Sequence, residues 1–145
     1  MKTLADFRPA EITAENLPAG LELDALVAEA IGVDVRWMHG LPYVLPAYGR
    51  AIVRVPRYST DLSAAGKATE AMAQQTGWVW FLGFNPDEAK PYEFRWRTER
   101  NKRMSAFSPT EAHARALGVV LAAIVRSEAA EAAKETPLPQ SLRGE

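Results

Sequence analysis

Hydrophobic and polar positions along the chain fall into helical stripes and extended runs. The clearest run is Trp78-Val79-Trp80-Phe81-Leu82-Gly83-Phe84, which is apolar or glycine throughout. Alternate residues of a strand point to opposite faces. Trp78, Trp80, Leu82 and Phe84 therefore share one face, and Val79 and Phe81 the other. A strand apolar on both faces needs cover on both, so the pattern predicts a sheet between helical layers, with Trp80, Phe81 and Phe94 buried. Residues 92–98 alternate cleanly, with Tyr92, Phe94 and Trp96 opposite Glu93, Arg95 and Arg97. Residues 99–103 read as a charged hairpin tip and 104–107 as a return strand.

Three segments carry helical spacing. Residues 21–31 place Leu23, Leu26, Val27, Ala30 and Ile31 on one stripe, with Gly32 as a C-terminal stop. Ser59, Thr60 and Asp61 are N-cap residues for a helix reaching about Gln75, whose small face of Ala64, Ala65, Ala68, Ala71 and Met72 suits packing on a sheet. Ser108-Pro109-Thr110-Glu111 reads as a capping box with proline at the first helical position. That helix runs to about Ala130, with Ala112, Ala116, Leu117, Val120, Ala123 and Ile124 inward. Residues 33–57 are the least regular. Val33, Val35 and Trp37 alternate; Gly40, Pro42, Pro46 and Gly49 interrupt; and Ile52, Val53 and Val55 look extended before Pro56. A long loop with short β pieces is expected there.

The fold class is thus α/β (α+β): an antiparallel sheet of three or four strands sandwiched between helices, in the order α, short β, α, β, β, β, α. Residues 1–19 form an irregular arm, 20–130 one domain with a loop insertion at about 33–57, and 131–145 a tail punctuated by Pro137 and Pro139. A plain meander places residues 78–84 at an edge, so a piece of 33–55 is expected to pair beside them.

Composition narrows the function classes. The 145 residues suffice for one cored domain, and 48% apolar content is ordinary. With no cysteine, disulfides, thiolate zinc sites and cysteine nucleophiles drop out. A net charge of −1 argues against a general grip on nucleic acid but leaves room for a local basic patch. The first residues lack the pattern of a signal peptide, and no apolar stretch approaches membrane-helix length.

Three segments resemble the phage ABA sandwich domain proteins, small phage and prophage proteins. Leu21-Glu22-Leu23-Asp24-Ala25-Leu26-Val27-Ala28-Glu29 is similar to the family's opening helix. Pro56-Arg57-Tyr58-Ser59-Thr60-Asp61 is similar to its PxYSTD approach to a helix, and residues 110–123 to its closing helix. The likeness spans roughly residues 20–124, with the 40–55 stretch as an insertion. It implies a sheet between helical layers, a viral origin and the host bacterial cytoplasm, and carries no chemistry with it.

Candidate sites are of three kinds. Ser59 and Thr60 offer donors at a helix start, where anions bind, although plain capping uses the same donors and Asp61 would repel an anion. Arg95, Arg97, Arg100 and Arg103, with Lys102, gather on one hairpin, where they suit phosphate or serve as a solvated edge. Trp37, His39, Tyr43, Tyr48 and Tyr58, with Arg36, Arg50, Arg54 and Arg57, crowd the irregular region and fit a ligand or a protein interface. His39 and His113 are too far apart in the chain to suggest a metal pair, Asp24 and Glu29 point in different directions on one helix, and no nucleophile elbow occurs. The expectation is a non-catalytic protein without cofactor or metal, acting through an unknown protein partner or self-association as a homo-oligomer. The alternatives are a sponge for a small cyclic nucleotide and a nucleotide- or nucleic-acid-processing accessory protein.

Overall fold

A computed structural model describes residues 2–45 and 51–135. Three helices, α1 (Leu21–Ala30), α2 (Leu62–Thr76) and α3 (Glu111–Glu135), combine with six strands: β1 (Val35–Met38), β2 (Leu41–Val44), β3 (Val53–Arg54), β4 (Val79–Phe84), β5 (Tyr92–Arg97) and β6 (Arg103–Ser108). The strands form two antiparallel sheets, β1-β2-β3 and β4-β5-β6. The mixed α and β class and the element order follow the sequence pattern. Pro46, Tyr48, Gly49, Arg50 and the 136–145 tail lie outside the described residues.

The core is organised by α3. From Ala112 to Val125 only Arg115 is not fully buried, far more than the single inward stripe expected. A helix apolar all round belongs at the centre of a fold, and here α1 and α2 pack on α3, as do β5 and β6. The sheet's inner face presents Phe94, Trp96, Met104 and Ala106, all buried. Phe94 and Trp96 meet edge-on with ring centroids 5.1 Å apart, and Trp80 stacks on Phe94 at 5.8 Å. Trp96 Nε1 donates to the Gly118 carbonyl oxygen at 2.8 Å. The residues of 1–19 make two 3₁₀ turns and bury Phe7, Ile12 and Leu17. His113 Nε2 lies 2.7 Å from the Leu17 carbonyl oxygen and closes this segment onto α3.

Several expectations are corrected. Helices cover only the inner face of the β4-β5-β6 sheet. Phe81 is exposed and Trp80 half-buried, whereas Phe94 is buried as expected. The reason is that α2 spends its small face, Ala65, Ala68 and Met72, on α3 rather than on the sheet. β4 is an edge strand, and the strands of the irregular region form their own sheet instead of pairing with it. Gly40 and Pro42 do not break that sheet. His39 and Gly40 both have positive φ, 55° and 77°, and make the two-residue turn between β1 and β2. Pro42, opposite Trp37, lacks an N–H, yet its carbonyl accepts from Val55 N at 3.1 Å. At α3 the cap moves inward: Ser108 belongs to β6 and accepts from Thr110 N at 3.3 Å, and Thr110 Oγ1 accepts from His113 N at 3.3 Å. Asp61 caps α2, accepting from Ser63 N and Ala64 N, and Gly77, φ 73°, ends it.

Gly118 is where helix and sheet come closest. A Cβ placed there would lie 2.2 Å from Phe94 Cδ1. Gly→Ala in a helix interior ordinarily gains up to about 1 kcal/mol, but forcing atoms into a packed core costs about 1–3 kcal/mol. Gly118→Ala should therefore lower stability in denaturant melts. Phe94→Ala, which removes the whole clashing ring, should cost less in the Gly118→Ala background than in the wild type.

Candidate functional site

The open outer face of the β4-β5-β6 sheet is built from three cross-strand rows. Register places Val79, Arg97 and Arg103 in one row, Phe81, Arg95 and Ser105 in the next, and Gly83, Glu93 and Phe107 in the third. Val79, Phe81 and Phe107 are 55, 56 and 48% exposed, and Phe84 at the end of β4 is 59% exposed. Phe81 leans along its own strand, since a Cβ at Gly83 would sit 3.0 Å from its Cε1. Glycine at 83 leaves that room.

Charge is unevenly spread over this face. Glu93 Oε2 accepts from Arg95 Nε at 3.0 Å, from Arg95 Nη2 at 2.9 Å and from Ser105 Oγ at 2.7 Å. Burial alone would raise the Glu93 pKa, and it is the largest single influence. The Ser105 and Arg95 hydrogen bonds, with the Arg95 charge, together outweigh it and hold the carboxyl below its usual range. Arg95 is also 5.6 Å from the Phe81 ring centroid. Arg97 and Arg103 are exposed and face each other directly, and among the described residues neither side chain makes a salt bridge or hydrogen bond. A hollow of ≈ 300 Å³ is lined by Val79, Trp80, Phe81, Arg95, Arg97 and Arg103. Arg100 lies at the exposed hairpin tip, away from these rows. The alternation along β5 made the arginine face legible in sequence. Phe81 was assigned to a covered layer and so missed as its neighbour.

Among the described residues, those proposed around the irregular region do not form one cluster. Tyr43 and Arg54 pair across β2 and β3, with the guanidinium 5.8 Å from the ring centroid. His39 is exposed at the β1–β2 turn, and Arg57 is exposed before α2. Trp37, half-buried, lines a ≈ 230 Å³ hollow with Lys2, Glu29 and Val33. Tyr58 is buried, and burial followed by the charge of Asp24 raises its pKa.

Ser59 turns inward. It is buried, and both its donors go to Asp24 Oδ1: the hydroxyl at 2.6 Å and the amide at 2.8 Å. Its oxygen also accepts from Gly20 N at 2.9 Å. Thr60 is exposed on the adjoining turn. Ser59 is thus committed to a carboxylate of its own chain, and this turn and the sheet arginines occupy separate elements. Asp24, equally buried, has its pKa raised by burial, against the opposing effects of Ser59 and Arg57. Sequence reading set Asp24 aside.

No family model, curated protein or solved structure matches this chain. Among the described residues no group of His, Asp or Glu side chains is placed to hold a metal ion, and no helix is long and apolar enough to cross a membrane.

The Asp24 joint makes a signed prediction. Its folded-state pKa lies above the unfolded value, so its contribution to stability is full below the ordinary aspartate range and is lost as pH rises through the raised value. Asp24→Asn keeps an acceptor for Ser59 and should flatten this decline in melts run from acidic to neutral pH. Asp24→Ala should instead cost about 1–3 kcal/mol, because the Ser59 amide loses its partner in a buried setting.

Proposed function

We propose that this protein is a non-catalytic binding module that associates with another protein molecule through β4 and the outer sheet face beside it. The observation that carries the reading is that β4, apolar on both faces and free of charge, lies at an edge with one face uncovered. Edge strands in monomers are usually guarded by lysine, proline or a bulge, and β4 has neither lysine nor proline. Exposed aromatics with arginines among them are also the residues favoured at interfaces. A groove of ≈ 760 Å³ between α2 and β4, lined by residues that include Leu62, Lys67, Trp80 and Arg115, leaves room beside the strand. Strand addition at such an edge gives affinity through backbone hydrogen bonds and specificity through alternate side chains. A second copy is the simplest partner, because an uncharged strand can pair antiparallel with itself about a two-fold axis. The sequence resemblance adds a phage or prophage origin to this proposal, with the host bacterial cytoplasm as its setting.

Sedimentation velocity on purified protein tests the reading. Self-association that Phe81→Lys abolishes is the expected result. Stability should change by no more than about 0.5 kcal/mol, as for other exposed positions. Trp37→Ala, on the other sheet, should leave the association intact. A wild-type monomer that retains the same proteins from host extract as Phe81→Lys does would overturn the reading.

A further inference from the structure

The basic end of the outer face, which shares Phe81 with the association surface, carries a pair of arginines that strand pairing through β4 does not require. Arg97 and Arg103 stand directly opposite on β5 and β6. Like charges at that position destabilise a sheet, and a nearby carboxylate would normally offset them. The acids flanking Arg97 in β5 and in the following turn, Glu93 and Glu99, are engaged elsewhere. Glu93 holds Arg95 and Ser105, and Glu99 Oε2 accepts from Trp78 Nε1 at 2.6 Å. The ≈ 300 Å³ hollow beside the pair contains three arginines, Val79 and two aromatic rings, with no carboxylate in its lining.

We infer that the Arg97–Arg103 pair binds the phosphate of a nucleotide unit whose base rests against Phe81 and Arg95. Guanidinium groups present paired N–H donors that match phosphate oxygens, and a bridging anion removes the repulsion between them. The row containing Phe81 and Arg95 lies two residues further along the strands, about 7 Å away. A sugar spans that gap between phosphate and base. The Phe81 ring and the Arg95 plane, which Glu93 fixes, offer a flat surface on which a base can stack, with little preference among bases. The ligand class is therefore a free nucleotide or a single-stranded nucleic acid, which share this chemistry. The binding is local to one hollow, consistent with an overall charge of −1.

The test uses the full chain at low salt with four probes: inorganic pyrophosphate, adenosine monophosphate, a fluorescent single-stranded decathymidylate and polyglutamate. Binding is read by calorimetry or anisotropy, and melting temperature is recorded alongside. Pyrophosphate and adenosine monophosphate should bind and raise the melting temperature. Arg97→Gln with Arg103→Gln should weaken both by at least about tenfold, the loss expected for a charge-assisted bidentate contact. The same double variant without ligand should melt no lower than wild type, because the repulsion is gone. That readout separates a binding role from a structural one. Phe81→Ala should weaken adenosine monophosphate and leave pyrophosphate unchanged. Decathymidylate binding much more tightly than the mononucleotide identifies single-stranded nucleic acid as the source; equal or weaker binding identifies the free nucleotide. The inference is overturned if no phosphate probe binds, if binding survives the double variant, or if polyglutamate competes as well as the phosphates do.

Discussion

The approach of α3 to the β4-β5-β6 sheet at Gly118 is the constraint from which most of the architecture follows. With no side chain at 118, the Phe94 ring lies directly on the helix backbone, and Trp96 reaches the Gly118 carbonyl with its indole N–H. The aromatic inner face of the sheet is thereby held at a distance that a larger residue could not share. Both rings are fully buried, so neither has room to withdraw. The hydrogen bond also satisfies the one polar atom that the buried Trp96 carries, which is the usual requirement for burying an indole.

A helix held that close to a sheet, and apolar on its remaining sides, attracts the other helices to itself. α1 and α2 pack on α3, and among the described residues no helix packs on the far side of the sheet. The open face is therefore a product of how the core is built as well as the place where function is proposed. The Asp24–Ser59 joint works in parallel on the other side of the core. It ties the start of α1 to the turn before α2 through a carboxylate that accepts two hydrogen bonds from one residue.

Local periodicity made the helices, the C-terminal hairpins and the alternation on β5 legible in sequence, because those signals depend on neighbouring residues alone. The layer order was not. That β4 is apolar on both faces is a true reading of its sequence, but cover was inferred from it, and whether a helix supplies cover is decided by competition among helices for α3. The His39-Gly40 turn was hidden because it lacks the Asn-Gly or Asp-Gly pair that most strongly marks a two-residue hairpin turn. Of the candidate site residues, Arg95 and Arg97 follow from strand alternation, and Arg103 from the charge of the hairpin tip. Phe81 was not visible as their neighbour, and Ser59, weighed as a helix cap or an anion donor, has its partner Asp24 35 residues away in the chain.

The position of α3 in the chain has a consequence for biosynthesis. It is the last described element to leave the ribosome, yet it is the one on which the others pack. Domains synthesised from the N-terminus commonly begin to consolidate as they emerge. Here Leu23, Leu26 and Val27 of α1, Met72 of α2 and the aromatic face of β5 lack their main packing partner until residues 112–125 are available. Until then the nascent chain displays most of its future core, including the unguarded β4. Consolidation of this core therefore waits until residues 112–125 have been synthesised.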